Sequence, residues 1–295
     1  MLTTLATLAA LALAQQTDTT VPVRTGARLE VNNFGGEIAV KTWSRSAVRI
    51  VADHASRDRV RIEASEQYVR VKVEGGRHGP SQVDYVITVP GWMALNLSGV
   101  YTDIKVDGAQ SEVTAETVQG EVTVLGGSGN VSLKSVMGAV TLEKARGRID
   151  LNSVNEAVRA TDVSGDLSAE TVNGDITLLQ IESANVEANT VNGDITYDGT
   201  IKDGGRYRFA THNGSLRVGI PEKASVSVSV STFNGDFSAC FPVELTKKTR
   251  HRFNFTIGSG SARLELESFD GDIRLCRPGQ LMKDADKEHE DHEEE

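Results

Sequence analysis

Two cysteines are the residues of this chain whose positions most directly suggest chemistry. Cys240 and Cys276 each lie five residues after a glycine, Gly235 and Gly271, at the start of two similar segments. If these segments stack on each other, the two Cα atoms fall within the range that a disulfide spans. We therefore predict a Cys240–Cys276 disulfide, which an exported protein permits. Two free, buried thiols are the alternative.

Metal ligands are the second possibility, because aspartates follow several similar glycines: Asp175, Asp194, Asp236 and Asp272. Calcium-binding β-rolls use a nine-residue Gly-Gly-x-Gly-x-Asp repeat. The period fits here, but the Gly-Gly-x-Gly part is missing. We interpret these carboxylates as solvated turn residues, and His289 and His292 of the C-terminal segment as solvated too. The sequence thus predicts neither a metal site nor a cofactor.

Catalytic motifs are not found. The chain has no HExxH, no GxSxG and no phosphate-binding loop. Some β-helical polysaccharide lyases and hydrolases use carboxylates and basic residues on an outer face, and Arg148, Asp150 and Arg159 could be arranged in this way. Their spacing alone is a weak signal. We predict a non-enzyme, with a carbohydrate-active enzyme as a minor alternative.

The elements that position all these residues form a repeat. Turn positions Thr102, Gly120, Gly138, Glu156 and Gly174 are 18 residues apart, and a weaker series of turns lies halfway between them. After each turn a short strand alternates apolar and polar residues, so that Ile176 points to one side and Thr177 to the other. One such strand cannot bury its apolar side, but stacked copies can.

The repeat predicts an all-β fold, a parallel β-solenoid with two strands in each coil of about 18 residues. An antiparallel meander of nine-residue hairpins is the alternative, although it would not require the same chemistry at positions 18 apart. Serine or threonine precedes each main turn glycine by three residues, and asparagine or aspartate mostly precedes it by one. The residue two positions before the turn is Val in early copies and becomes His212, Phe233 and Phe269. We interpret it as core and expect thicker C-terminal coils.

An outward-facing column follows three residues after each turn and is the candidate binding face. Its members are threonines interrupted by arginines: Thr123, Thr141, Arg159, Thr177, Thr196 and Arg217. Such an array can bind a glycan or a protein. It can equally be ordinary strand surface, since Thr is common there.

The chain divides into five expected segments. Residues 1–14 read as a signal peptide, with the apolar run Leu5–Ala14 and an Ala-Leu-Ala cleavage site but no basic residue before the run. Residues 15–21 are a linker, 22–100 an N-terminal β cap or entry coils, 101–279 the solenoid, and 280–295 a disordered acidic tail. The insertion Val243–Gly260 contains a strand, Arg252–Ile257, that could cover the last coil.

Charge and hydropathy limit the partners. The net charge is −10, and Lys283–Glu295 contributes eight acids against two lysines. We therefore expect no nucleic-acid partner. No later stretch is long and apolar enough for a transmembrane segment. An envelope or extracellular protein or glycan is the expected partner, for a protein that is periplasmic, secreted or at the cell surface.

The pattern resembles the bacterial putative-adhesin family of β-strand-repeat envelope proteins. The matching features are the opening Gly26–Val40, then Trp43, then Val86–Pro90 ahead of the recurring Ser/Thr-Val-x-Gly-Asp-Ile units. The likeness covers about residues 22–277. It implies a β-solenoid in the cell envelope and brings no catalytic residue with it. Adhesion or binding is the expected function, and a self-assembling envelope scaffold is the alternative.

Overall fold

The computed structural model describes residues 14–74 and 82–280, and this part of the chain consists of β-strands without a helix. The all-β class is confirmed. Residues 1–13 of the expected signal peptide, and residues 281–295 with His289 and His292, lie outside the described residues. The expected linker 15–21 falls within a strand instead. No helix of the described ranges is long and apolar enough to cross a membrane.

The repeat region folds into two long ladders of parallel strands. The strands before the turn glycines form the first ladder, and those after them form the second; one strand from each makes a coil. Val131 of the first ladder lies between Val113 and Ile149. Val140 of the second lies between Val122 and Val158. The predicted parallel pairing at an offset of 18 residues is confirmed here, and the antiparallel meander is excluded.

The strands of this region follow one another closely along the chain. Their bounds are β7 (Ala94–Ala109), β8 (Val113–Thr117), β9 (Val122–Gly126), β10 (Ser128–Ser135), β11 (Val140–Glu143), β12 (Arg146–Asn152), β13 (Val158–Glu170), β14 (Ile176–Glu182), β15 (Asn185–Asn192), β16 (Ile195–Gly199), β17 (Arg206–Asn213) and β18 (Leu216–Gly219). Both β7 and β13 are long enough to contribute to both ladders.

The N-terminal region contains true coils as well as a cap. Its strands are β1 (Ala14–Pro22), β2 (Arg28–Trp43), β3 (Ala47–Ala55), β4 (Arg59–Ala64), β5 (Tyr68–Glu74) and β6 (Val83–Pro90). Strand β2 runs parallel to β7, with Leu29 beside Leu95 and Ile38 beside Ile104. Strands β5 and β6 add another parallel coil beyond β2. The antiparallel strands β4, β3 and β1 then finish the two ladders.

At the C-terminal end the order of coils departs from chain order. The last strands are β19 (Val226–Asn234), β20 (Phe237–Ala239), β21 (Leu245–Lys248), β22 (Arg252–Ile257), β23 (Ala262–Asp270) and β24 (Ile273–Cys276). Strand β23 lies between β17 and β19, so the chain skips one position and returns to fill it. Strand β22 pairs antiparallel with β19 and covers that edge, as predicted.

The disulfide links these two last coils. Residues Phe237 and Ile273 pair in register, which brings Cys240 and Cys276 to a Cα separation of 4.8 Å, and the two are bonded. The predicted disulfide is confirmed. It closes a loop of 36 residues that includes β21 and β22.

The hydroxyl column has a structural role. The Oγ1 of Thr171 donates to the carbonyl of Glu156 at 3.0 Å, and the Oγ of Ser153 donates to the carbonyl of Gly138 at 3.0 Å. The same bond joins hydroxyl and turn carbonyl of neighbouring coils throughout the column: Thr117, Ser135, Ser153, Thr171, Thr190, Thr211, Ser268 and Thr232. These side chains are buried, so each bond gives a hydroxyl that is shielded from water a hydrogen-bond partner.

The turn glycines are needed because coils approach closely at this corner. A Cβ placed on Gly193 would overlap the carbonyl oxygen of Gly174 in the coil before it. The opposite corner turns differently. There the residues Gly108, Gly126, Lys144, Asp162 and Gln180, each 18 after the last, all have positive φ. Glycine is thus favoured at the first corner by contact between coils and at the second by backbone conformation.

Inward-facing residues of the two ladders form one continuous aliphatic core. It does widen toward the C-terminal coils, but through Tyr197, Tyr207 and Phe209 rather than through the residues predicted. The ring of Tyr197 lies 4.9 Å from that of Phe209 and 6.0 Å from that of Tyr207. Each tyrosine hydroxyl donates to a backbone carbonyl, and burial raises the pKa of both.

We expect Thr171→Val, which keeps the shape of the side chain, to lower the free energy of unfolding by about 1–2 kcal/mol, because it leaves the carbonyl of Glu156 without its partner. Thr177→Val, on the outer surface of the second ladder, is the control and should change it by less than about 0.5 kcal/mol. Urea unfolding measures both. Equal effects would show that the hydroxyl column does not hold the coils together.

We expect reduction of Cys240–Cys276 to destabilise the protein by about 2–4 kcal/mol, because the unfolded chain regains the freedom of a long loop. Unfolding is followed with and without a reductant. The double variant Cys240→Ser/Cys276→Ser should resemble the reduced protein and ignore the reductant. An oxidised protein no more stable than the reduced one would contradict this expectation.

Candidate binding surfaces

The column predicted to lie in the core forms an exposed ridge instead. Val154 and Val172 are 38% and 39% exposed, and Phe233 reaches 55%. The reason is the alternation along the first ladder. Val113, Ala115 and the hydroxyl of Thr117 all point inward, so the next residue must point out. Counting in steps of two from Val113 would have placed the column outside.

This apolar ridge runs along one corner of the stack from β2 to β19. In stack order its members are Phe34, Val100, Val118, Val136, Val154, Val172, Val191, His212, Phe269 and Phe233. Neighbouring coils are about 4.8 Å apart, so the ridge is an almost unbroken apolar line. Contiguous exposed apolar surface rimmed by polar groups is typical of interaction sites.

Asparagines form the polar rim of the ridge. The Nδ2 of Asn173 donates to the Oδ1 of Asn155 at 3.2 Å, that of Asn192 to Asn173 at 2.8 Å, and that of Asn213 to Asn192 at 2.7 Å. The expected hydrogen bonding of stacked asparagines is confirmed for these four residues. Because each amide holds the next, the rim is rigid and keeps the ridge beside it in line.

At the C-terminal end the ridge becomes a stack of rings. The ring of Phe269 lies 4.7 Å from that of His212 and 5.1 Å from that of Phe233, and Phe233 lies 4.6 Å from His251. The planes differ by only 15°, 5° and 16°. The rings cover one another's faces and expose their edges. This arrangement offers little flat aromatic surface for a sugar to stack on.

The candidate binding face predicted from the sequence is brought together by the second ladder. Its members occupy one outward column in register: Thr123, Thr141, Arg159, Thr177, Thr196 and Arg217. Thr123 and Arg159 are exposed, and the others are half-buried. Arg217 is engaged by the carboxylate of Asp194 at 2.6 Å, which restricts its use for a ligand.

Toward the N-terminus this face continues as Lys105, Ala39 and Val86. A shallow groove of about 510 Å³ lies there, with Val86 and Leu125 among its apolar lining. The ammonium of Lys105 contacts Glu37 at 2.7 Å, and this hydrogen bond raises the pKa of Lys105. The face thus changes from a hydroxyl array in the middle of the stack to a mixed apolar and charged groove at its end.

The turn carboxylates are used by the backbone. An oxygen of Asp175 accepts from the amide of Asp194 at 2.9 Å, and one of Asp272 accepts from Asp236 at 2.8 Å. Asp194 likewise accepts from the amide of Ser215 at 2.8 Å. Each carboxylate therefore caps an amide in the adjacent coil. The described ranges hold no group of three or more acidic, histidine or cysteine side chains that could ligate a metal.

The residues considered for carbohydrate chemistry are divided between the two ladders. Arg148 and Asp150 line a polar groove of about 670 Å³ on the first ladder. Arg159 belongs to the column on the second ladder. In the same groove the carboxylate of Asp166 accepts from the side-chain Nδ2 of Asn185 at 2.8 Å. The combination of all three residues in one site is therefore not formed.

Sequence reasoning missed one cluster, the cations of the β21–β22 hairpin. Residues 247–252 read Lys-Lys-Thr-Arg-His-Arg, and the side chains of Lys247, Arg250 and Arg252 are exposed. The signal was available: four of six residues are basic in a chain of net charge −10. The cluster lies next to the ridge, because the ring of His251 stacks on that of Phe233.

The chain matches a known protein-family model over part of its length. Residues 170–276 match the family described as Toastrack DUF4097. This agrees with the resemblance to the putative-adhesin family drawn from the sequence, which is confirmed. No significant relative is found among curated proteins.

Solved structures similar to this chain carry related names. A putative adhesin from Parabacteroides merdae has 10% identity and a TM-score of 0.47, with 88% of this chain and 96% of that chain covered. A putative cell adhesion protein from Clostridium sporogenes has 9% identity, a TM-score of 0.25, and coverage of 90% and 100%. A putative lipid binding protein from Parabacteroides distasonis has 10% identity, a TM-score of 0.33, and coverage of 88% and 96%.

We expect Val154→Ser, on the ridge, to change the free energy of unfolding by less than about 1 kcal/mol, because the side chain is already partly in water. Val158→Ser, four residues on and fully buried, is the matched comparison and should cost about 3 kcal/mol. Urea unfolding of the pair measures the difference. A large decrease in the free energy of unfolding of Val154→Ser would show that this column belongs to the core.

Proposed function

We propose that this protein is a non-catalytic binding module of the bacterial cell envelope, in which the stacked coils form a β-solenoid that presents its surface to another macromolecule. The apolar ridge is the observation that carries this proposal. Val and Phe side chains lie exposed to water along the length of this protein. Covering them with a partner is favourable, because burial of apolar surface lowers the free energy of the complex. The family match and the adhesin resemblance support a binding function in general terms.

The chemistry of the ridge favours a protein as the partner. Its members are aliphatic or present ring edges, and protein interfaces have an apolar centre with a polar rim, as the asparagines provide here. The candidate binding face of Thr123, Thr141, Arg159, Thr177, Thr196 and Arg217 offers hydroxyls and guanidinium groups. It is better suited to a glycan or to the polar part of a protein interface, and we propose it as a secondary surface.

Export is part of the proposal. The signal-peptide pattern of residues 1–14 and the Cys240–Cys276 disulfide both support an oxidising location, because disulfides persist outside the cytosol. The periplasm, the cell surface and the medium all satisfy this condition.

The alternatives receive less support. End-to-end assembly into a scaffold would require an open coil at each end. Instead, antiparallel strands finish the first ladder at both ends and the second at its N-terminal end, which breaks the pattern that a further coil would continue. The carbohydrate-active enzyme considered from the sequence would require Arg148, Asp150 and Arg159 in one site, and Arg159 lies on a different ladder from the other two.

The test measures binding of the full chain to proteins and glycans of a bacterial envelope extract, with the variant Val136→Ser/Val154→Ser/Val172→Ser. We expect affinity for a protein partner to fall at least tenfold, since removing central apolar contacts typically costs over 1 kcal/mol. The control is Thr141→Ala/Thr177→Ala/Thr196→Ala, which should retain it.

The opposite pattern would move the binding site to the candidate face, and unchanged binding in both variants would refute both surfaces. A glycan array and a reducing-sugar assay on envelope polysaccharides complete the test. Release of reducing ends by the purified chain would overturn the non-catalytic proposal.

A further inference from the structure

The C-terminal end of the stack combines two kinds of side chain. Phe233 and Phe269 are large apolar residues with 55% and 45% of their surface exposed. Lys247, Arg250 and Arg252 are exposed cations on the β21–β22 hairpin. We call these five residues the C-terminal pole.

The two halves of the pole are physically connected. The ring of His251, between Arg250 and Arg252, stacks on Phe233 at 4.6 Å. The carbonyl of His251 also accepts from the amide of Thr232, and Arg252 pairs with Ser231 across the strands. The cations are therefore held beside the exposed rings by both backbone and side-chain contacts.

No ion pair within residues 14–74 and 82–280 holds the cations of the pole, and Lys247, Arg250 and Arg252 take part in none there. Of the carboxylates on neighbouring coils, Glu267 contacts Arg208 at 3.3 Å and Asp272 holds the amide of Asp236. In the same described ranges, the exposed carboxylates of Glu244, Asp236 and Asp270 form no ion pair with the three cations. The pole is thus a cationic surface on a chain of net charge −10.

We infer that the C-terminal pole docks on a lipid bilayer containing anionic headgroups. A soluble anion would satisfy the cations but leave Phe233 and Phe269 in water. The interfacial region of a bilayer accepts both, because apolar side chains enter the boundary with the acyl chains while Lys and Arg contact headgroup phosphates.

The docking site lies on the last coils only. The central valines of the ridge and the Thr/Arg column are outside it. The inference does not depend on the partner of the ridge, since that site and the pole share only Phe233 and Phe269.

Vesicle co-sedimentation of the full chain tests the inference. The probes are phosphatidylcholine vesicles with and without an equal part of phosphatidylglycerol. We expect binding to the anionic vesicles only, decreasing with added salt. Lys247→Gln/Arg250→Gln/Arg252→Gln should weaken it about 100-fold, at about fivefold for each cation. Lys144→Gln/Arg146→Gln/Arg148→Gln removes the same charge from the middle of the stack and should change it by less than about threefold.

A second arm tests the apolar half. Phe233→Ser should weaken vesicle binding about tenfold, and its unfolding midpoint is measured alongside, with Phe269→Ser as a substitute if the first variant is unstable. Loss of binding in the ridge variant at 136, 154 and 172 would instead assign vesicle binding to the ridge. Three results would each overturn the inference. The first is binding to neutral vesicles, and the second is unchanged binding by the triple-Gln variant. The third is equally tight binding to soluble polyphosphate that Phe233→Ser leaves unchanged.

Discussion

The hydrogen bond from a buried hydroxyl to the turn carbonyl of the neighbouring coil is the interaction on which the rest of this structure depends. Aliphatic cores tolerate sliding, because one methyl group is much like another. A hydroxyl and a carbonyl at fixed positions are directional and costly to leave unpaired when buried. The column from Thr117 to Thr232 therefore fixes the register of the coils while the Val, Ile and Leu side chains supply the burial.

Fixed register converts positions in the sequence into lines on the surface. Every outward position recurs in each coil, so whatever residue type is favoured there becomes a stripe. Two of these stripes have a structural role. The asparagines bond to one another, and the turn aspartates accept hydrogen bonds from backbone amides. The ridge and the Thr/Arg column are different. Their side chains lie along the stack without a structural function of comparable weight, and this is why the binding proposal is placed on them.

The ends of the stack follow other rules. A regular coil always leaves an open edge, and here antiparallel strands close the first ladder at both ends. At the C-terminus the return of β23 and β24 into the skipped position leaves the β21–β22 hairpin on the outside, and the disulfide secures the coil that carries it. An element outside the repeat is not constrained by it, so charged and aromatic residues can gather there as they do at the C-terminal pole.

The order of the last coils shows how far a repeat can mislead. The double-length gap before Gly271 suggests an insertion after the final regular coil. The chain instead places residues 226–239 outermost and residues 262–276 inside them. Both segments carry the same alternation and the same turn, so local sequence is equally compatible with either position. The choice depends on which coil the hairpin can cover.

The sequence by itself determined the strand class, the 18-residue register, the hydroxyl column and the pairing of Cys240 with Cys276. These features depend on the spacing of residues along the sequence. In a stack of coils, residues one period apart become neighbours in space. Only the tertiary structure decided that Val154 and Phe233 face water. Of two adjacent residues at a corner, only one can point inward. The preceding residue, Ser153 or Thr232, takes the inward position because its hydroxyl bonds to a carbonyl of the neighbouring coil. The tertiary structure alone also decided that the segment Arg250–Arg252 lies beside Phe233, since that contact arises from the antiparallel pairing of β22 with β19 and not from the repeat period.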